Sequence, residues 1–176
     1  MNHAVELYFD ESATRQINAV REQLSANGVP IDAGTRPHIS LALYEDLNQY
    51  ELIERVSSFA RHPCRLSITM ASLGIFPSRE SVIFFAPKGT PKLLAFHADF
   101  LHFMEMYRPN LSPYYDVQSW VPHCTLGIHL NPDELTTAVR VLKELDPLPI
   151  QAGITQIGVL AFPPNTEVFS TPFVTE

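Results

Sequence analysis

Read for the rhythm of its apolar and polar positions, the chain interleaves short strands with amphipathic helices. Residues 3–9 (His3-Ala4-Val5-Glu6-Leu7-Tyr8-Phe9) alternate apolar and polar, the pattern of a half-buried strand. Asp10 or Ser12 can cap a helix in which Ile17, Val20 and Leu24 recur at helical spacing, and Asn27-Gly28 supplies a left-handed stop. Residues 36–44 predict a second strand, and residues 48–61 an amphipathic helix through Leu52, Ile53, Val56, Phe59 and Ala60. Two strands follow at about 64–76 and 81–87, joined by the turn Pro77-Ser78-Arg79-Glu80. Pro91 opens a helix running through Leu94, Leu101, Phe103 and Met106 to a stop at Pro109. Residues 110–119, with Pro113, Tyr114 and Tyr115, form a loop before a strand over 120–128. Asn131-Pro132-Asp133-Glu134 then gives cap, proline and acids at the start of a helix ending near Leu145. Strands at about 149–161 and 166–173 close the chain.

The order of elements repeats, and so do particular residues. Pro37-His38-Ile39-Ser40-Leu41 matches Pro122-His123-Cys124-Thr125-Leu126 at an offset of 85. Gly74 falls opposite Gly158 at 84, Phe76-Pro77 opposite Phe162-Pro163 at 86, and Val82 opposite Val168 at 86. A near-constant offset over four landmarks predicts two structurally similar lobes, each roughly strand–helix–strand–helix–strand–strand. Each half is small for an independent core, so the two are expected to share an interface within a single bilobal domain spanning 1–176.

Composition narrows the partners. At 45% hydrophobic and 18% charged residues the chain is an ordinary globular one, with no apolar run approaching the roughly 20 residues of a membrane span. Twelve Lys and Arg against 19 Asp and Glu give a net charge of −7, which excludes a protein that coats long RNA or DNA through its phosphates. A small nucleotide or an RNA terminus remains open as substrate, and a monomer is expected. The first seven residues, Met1 to Leu7, show neither a basic stretch nor a long apolar core, so no secretory leader is expected. Two cysteines, Cys64 and Cys124, exclude a disulfide framework and a four-cysteine zinc site, which leaves a reducing, cytoplasmic setting as the default.

Strand geometry turns the repeat into chemistry. Residues i and i+2 share a face, so His38 and Ser40 point one way while Ile39, Leu41 and Leu43 point to the core. His123 and Thr125 repeat this, with Cys124, Leu126 and Ile128 on the buried side. Lobes related by approximate two-fold symmetry would aim both imidazole–hydroxyl pairs into one cleft. One neutral imidazole can then take a proton from an attacking water or hydroxyl while the other, protonated, gives one to the departing oxygen. The two hydroxyls can donate to non-bridging phosphate oxygens. Neither a metal nor a cofactor is needed.

In these residues the chain resembles the two-histidine phosphoesterase superfamily, the group of 2'-5' RNA ligase-like proteins and cyclic phosphodiesterases. The resemblance lies in Arg36-Pro37-His38-Ile39-Ser40-Leu41, in Leu73-Gly74-Ile75-Phe76-Pro77 with Val82-Ile83-Phe84-Phe85-Ala86-Pro87, and in Trp120-Val121-Pro122-His123-Cys124-Thr125-Leu126. It covers nearly the whole chain. It implies a bilobal α+β fold, with antiparallel sheets flanking a central cleft and helices on the outer faces. It also implies metal-independent hydrolysis or transfer at a 2',3'-cyclic phosphate or 2'-5' linkage, with His38, Ser40, His123 and Thr125 as catalytic residues. The rival readings are a nucleotide-binding module without turnover and a ligase using the same groups.

The remaining candidates are weaker. Arg36 shares the parity of His38 and could face the phosphate. Tyr8, on the polar strand face, could stack on a base, and Tyr114, Tyr115 and Trp120 could wall the cleft, with Trp120 read as structural. His97 and His102 are five apart and so do not form a helical metal pair, whereas His129 shares the parity of His123 and could join it.

Overall fold

The protein is described by a computed structural model over residues 2–79 and 81–174. Strand β1 (Asn2–Phe9) leads through Asp10, whose side chain accepts from the Ala13 amide, into helix α1 (Glu11–Ala26). Gly28, at φ 79°, turns the chain out of that helix, as the Asn27-Gly28 pair predicts. Next come β2 (His38–Tyr44), α2 (Gln49–Phe59), and the hairpin β3 (Ser67–Phe76) and β4 (Ser81–Pro87). The predicted turn between those strands is described as far as Arg79, and Glu80 lies outside the described residues.

Helix α3 (Pro91–Phe103) ends earlier than its apolar spacing predicts. The chain tightens into a 3-10 turn over Glu105–Asn110 that holds Pro109 inside it, and a second such turn covers Pro113–Tyr115 within the predicted loop. Strand β5 (Cys124–Leu130) begins four residues later than expected, because Pro122 has no N–H to give a sheet ladder. Helix α4 (Pro132–Leu145) starts at a complete capping box between Asn131 and Glu134. The chain finishes with β6 (Ile150–Phe162) and β7 (Thr166–Pro172).

All strand pairs are antiparallel, in the order β2-β1-β6-β3-β4-β5 with β7 also on β6. The lobes are not the two consecutive halves of the chain. Strand β6 is 13 residues long and serves both: Ile150–Gly153 pair with β3, while Ile154–Phe162 pair with β1 and overlap the stretch that pairs with β7. The β6–β7 hairpin from the second half thus completes the sheet holding β2, and the β3–β4 hairpin from the first half completes the sheet holding β5. The repeat is interleaved, which ties the lobes together through backbone hydrogen bonds rather than through a docked surface alone.

The helices bury one stripe each: Ile17, Val20 and Leu24 on α1, Leu52, Val56 and Phe59 on α2, Leu93, Phe100 and Leu101 on α3, Ala138, Val141 and Leu142 on α4. Strand β1 departs from the half-buried reading. It is buried on both faces, including Glu6 at 1% and Tyr8 at 2% exposure, because β2 and β6 flank it and Arg36 lies over the Tyr8 ring. Among the described residues no helix is long and apolar enough to cross a membrane.

Candidate active site

The two histidines are held by the same device. A carbonyl can only accept, so the 2.8 Å contact of His38 Nδ1 with the Arg36 carbonyl places the proton on Nδ1. His123 Nδ1 makes the matching 2.7 Å bond to the Val121 carbonyl. Pro37 and Pro122 stand between, and a proline biases the residue before it towards extended backbone, setting the carbonyl beside the imidazole two residues on. In each ring Nε2 is left as the edge available for chemistry.

Both rings border one cleft of about 360 Å³, together with Ser40 and Thr125. Strand parity alone does not shape this cleft. In β2 the pairing to β1 slips at Leu41, between Ser40 and Ala42, and in β5 the pairing to β4 slips at Leu126, between Thr125 and Gly127. A bulge reverses which face later residues take. Leu43 and Ile128, predicted on the core side, therefore line the cleft instead. The same bulge carries His129 away from His123: it is exposed, at φ 57°, and does not border the cleft.

Of the weaker candidates, Tyr115 lies at the site. It lines both the cleft and an adjoining chamber of about 520 Å³, and its hydroxyl interacts with the Ser40 side chain. Arg36 is turned elsewhere. Its guanidinium is bound to Glu167 at 2.8 and 3.1 Å and to Gln156 at 3.0 Å, and it lies 3.6 Å over the Tyr8 ring. Tyr8 accordingly has no open face for a base, and donates its hydroxyl to Glu6 at 2.9 Å. Trp120 borders the same chamber as Tyr115 and is itself anchored: it donates to the Ser40 carbonyl at 3.0 Å and stacks at 3.9 Å on His97. His97 in turn donates from Nε2 to the Leu41 carbonyl, and burial lowers its pKa to about 4. Burial pushes the Cys124 thiol up to about 11, far from a nucleophile's range.

The surroundings of the two rings differ. His123 stands against Phe76 at 4.9 Å and Phe84 at 5.2 Å, and its pKa is lowered by burial and by the charge of His38, against the bond to Val121. His38 Nε2 instead faces the carboxyl of Glu6 at 3.4 Å. The two environments occupy matching places in the sheets: Glu6 pairs with Ser40, and Phe84 with Thr125. Across the next strand both stand opposite a glycine. A Cβ at Gly158 would come within 2.6 Å of the Tyr8 ring, and one at Gly74 within 2.2 Å of Phe84, so each aromatic ring needs its glycine.

Residues 9–162, a span containing both Pro-His motifs, match the 2'-5' RNA ligase superfamily. The chain belongs to the 2'-5' RNA ligase superfamily. Its architecture is similar to that of TT0787 of Thermus thermophilus (13% identity, 98% of each chain, TM-score 0.69). It is similar also to E. coli LigT solved with 3'-AMP (12% identity, 99% of this chain and 98% of that one, TM-score 0.63) and to Kluyveromyces marxianus Usb1 (15% identity, 97% of each, TM-score 0.52). At these identities the likeness is one of fold. No curated protein matches the chain. Family and fold together bear out the two-histidine phosphoesterase resemblance and the antiparallel α+β class it implied.

This superfamily member carries three buried charged residues that the sequence reading passes over, Arg21 with its neighbour Asp32, and Glu6. Arg21 falls on the apolar stripe of α1, one place after Val20, and is 3% exposed. It donates to the Thr125 carbonyl at 2.6 and 3.2 Å and to the Thr35 carbonyl at 2.9 Å, with Asp32 at 3.6 Å. It thus clamps the strand of the second motif to the loop before the first. A charge on an apolar stripe was the available signal. The third is Glu6, visible in sequence only as one polar place in an alternating strand.

Proposed function

We propose that this protein is a metal-independent phosphodiesterase that opens a 2',3'-cyclic phosphate, or cleaves a 2'-5' phosphodiester, on a nucleotide or RNA end. The observation that carries this reading is the pair of imidazoles on one cleft, each with Nδ1 tied to a carbonyl and each two residues before a hydroxyl. His38, beside a carboxyl group, serves as the acid at the leaving oxygen; His123, among phenyl rings that disfavour its charged form, serves as the base on the attacking water. Ser40 and Thr125 donate to the non-bridging oxygens, where charge grows as the phosphorus becomes five-coordinate. The adjoining chamber is lined by Phe76, Tyr114, Tyr115, Trp120 and three serines, with no carboxylate, lysine or arginine among the described residues, and suits an uncharged aromatic base.

The test is turnover of oligonucleotides ending in 2',3'-cyclic phosphate and of 2'-5' dinucleotides, with the regiochemistry of the product resolved. Opening of either class, undiminished by EDTA, is the expected result. Activity abolished by the chelator and restored by a divalent ion would replace this reading with a metal-assisted one.

A further inference from the structure

Glu6 and Asp32 both border the cleft without a part in the proposed acid–base scheme, and Glu6 is the one that faces a catalytic imidazole. Its carboxyl is 1% exposed, borders the cleft, and has two defined neighbours: His38 Nε2 at 3.4 Å from one oxygen and the Tyr8 hydroxyl donating at 2.9 Å to the other. The arrangement is braced from behind. Arg36 lies over the Tyr8 ring and is itself fixed by Glu167, while the Arg36 carbonyl holds the far side of the His38 ring. Enclosing a carboxyl group in this way is unfavourable unless the group is paired, and here the pairing is to His38 and Tyr8.

We propose that Glu6 is the positioning residue that makes His38 the acid of the pair: the buried carboxyl and the imidazole hold one proton in common, and Glu6 keeps it at the Nε2 edge facing the cleft. The inference rests on the phosphodiesterase reading above for its catalytic meaning, though not for its proton. In the forward step the Nε2 proton moves to the leaving oxygen as the P–O bond breaks. The attacking water gives its proton to His123 Nε2 as the new P–O bond forms. His38 ends neutral and His123 charged, and exchange with solvent restores both.

The surrounding charges agree with a shared proton. Burial pushes the Glu6 carboxyl above the usual carboxylate range, while His38 and the Tyr8 hydroxyl pull it down and Asp32 and Glu167 push it further up. Tyr115, which borders the cleft, and the buried Cys124 also feel its charge. The contrast with the other motif sharpens the argument, because Phe84 fills the matching position beside Thr125 and offers His123 no partner for a proton.

The test is an NMR titration of the His38 and His123 ring protons in the unaltered protein and in Glu6→Gln, which keeps an acceptor for Tyr8 and removes the charge. In the unaltered protein His38 should keep its proton to higher pH than His123. In Glu6→Gln the His38 midpoint should fall by about one pH unit, a tenfold change, with His123 moving much less. A reversed order in the unaltered protein, or an unmoved His38 midpoint in the variant, overturns the proposal. The first measurement needs no variant, so a Glu6→Gln protein that failed to fold would still leave it decided. With active enzyme, the alkaline limb of kcat should move to lower pH in Glu6→Gln for a ribose leaving group and stay in place for nitrophenolate. Because the titration needs no substrate, a shifted midpoint in a protein without turnover would uphold the shared proton and overturn the phosphodiesterase reading alone.

Discussion

Around His38 the neighbours are a carboxyl at 3.4 Å, a tyrosine hydroxyl behind it and an arginine stacked on that tyrosine; around His123 they are the rings of Phe76 and Phe84 at 4.9 and 5.2 Å. Everything that holds the two imidazoles is duplicated: the proline, the carbonyl on Nδ1, the hydroxyl two residues on and the bulge after it. Everything that sets their charge is not. A duplicated framework supplies two equivalent proton-transfer groups, and near their common pKa either could hold the proton, so the framework alone does not assign acid and base. A carboxyl at one strand position and a phenyl ring at the matching one make the two surroundings unequal, and the proposed roles follow that inequality.

The largest effect that could break this comparison is the loss of either ring. His38→Ala and His123→Ala should each lower turnover of a cyclic phosphate by about 10²–10⁴-fold, while Ser40→Ala and Thr125→Ala should each cost roughly 10²-fold. On a nitrophenyl phosphodiester, whose leaving group needs no proton, His38→Ala should recover most of its rate and His123→Ala should stay slow. Steady-state kinetics on the two substrates decide the matter. Equal rescue of both variants would mean that the two environments do not divide the roles.

Next in size is the clamp common to both sides. Arg21→Met should destabilise the protein by about 3–5 kcal/mol in urea denaturation, because Asp32 is left as a buried charge and the Thr35 and Thr125 carbonyls lose their donor. A loss below about 1 kcal/mol would show that the motifs are held together by the sheets alone.

How much of this was legible in sequence follows from range. The His38 strand and the capped helices were readable, since each depends on neighbours within a few residues, and the repeat showed as two matching local motifs, although β5 starts at Cys124 and leaves His123 just before it. The bulges at Leu41 and Leu126 were not, because a slipped register is a relation between two strands, and it moved Leu43 and Ile128 to the cleft. Interleaving was hidden for the same reason: nothing local in Ile150–Phe162 tells that one strand serves two sheets. Arg36 has the right parity for the cleft, but Glu167 is 131 residues away and captures it. Glu6 looked like a solvated strand position until β2 and β6 closed over it.

A smaller effect tests the aromatic side. The acidic limb of the pH–rate profile reports protonation of the base, and burial holds the His123 imidazole below its ordinary value of 6.5. Phe84→Ala uncovers the ring to water, so its pKa should rise and the acidic limb should move to higher pH, by up to about one unit. The variant would thus be most impaired below neutrality. A limb that stays put, or moves to lower pH, would separate the depressed basicity of His123 from its phenyl wall.

The smallest effect concerns Arg36, which sequence parity pointed at the phosphate and the structure points at Glu167. Their side chains are each 35% exposed, so solvent screens the pair, and Arg36→Met should cost only about 0.5–1 kcal/mol of stability. That difference has a pH signature. Partial burial raises the Glu167 carboxyl, but the Arg36 and Ser170 hydrogen bonds outweigh it and leave the group below its ordinary 4.5. A carboxylate depressed in the folded state contributes stability above its unfolded pKa and loses it as pH falls through the folded one. The gap between the unaltered protein and Arg36→Met should therefore be full at pH 7 and shrink as pH falls below the carboxyl's ordinary 4.5 and through its lower folded value. Over the same range KM for a cyclic nucleotide should change less than about twofold, because no phosphate contact is removed. A tenfold rise in KM with unchanged stability would return Arg36 to the substrate and leave Tyr8 without the cation assigned to its ring.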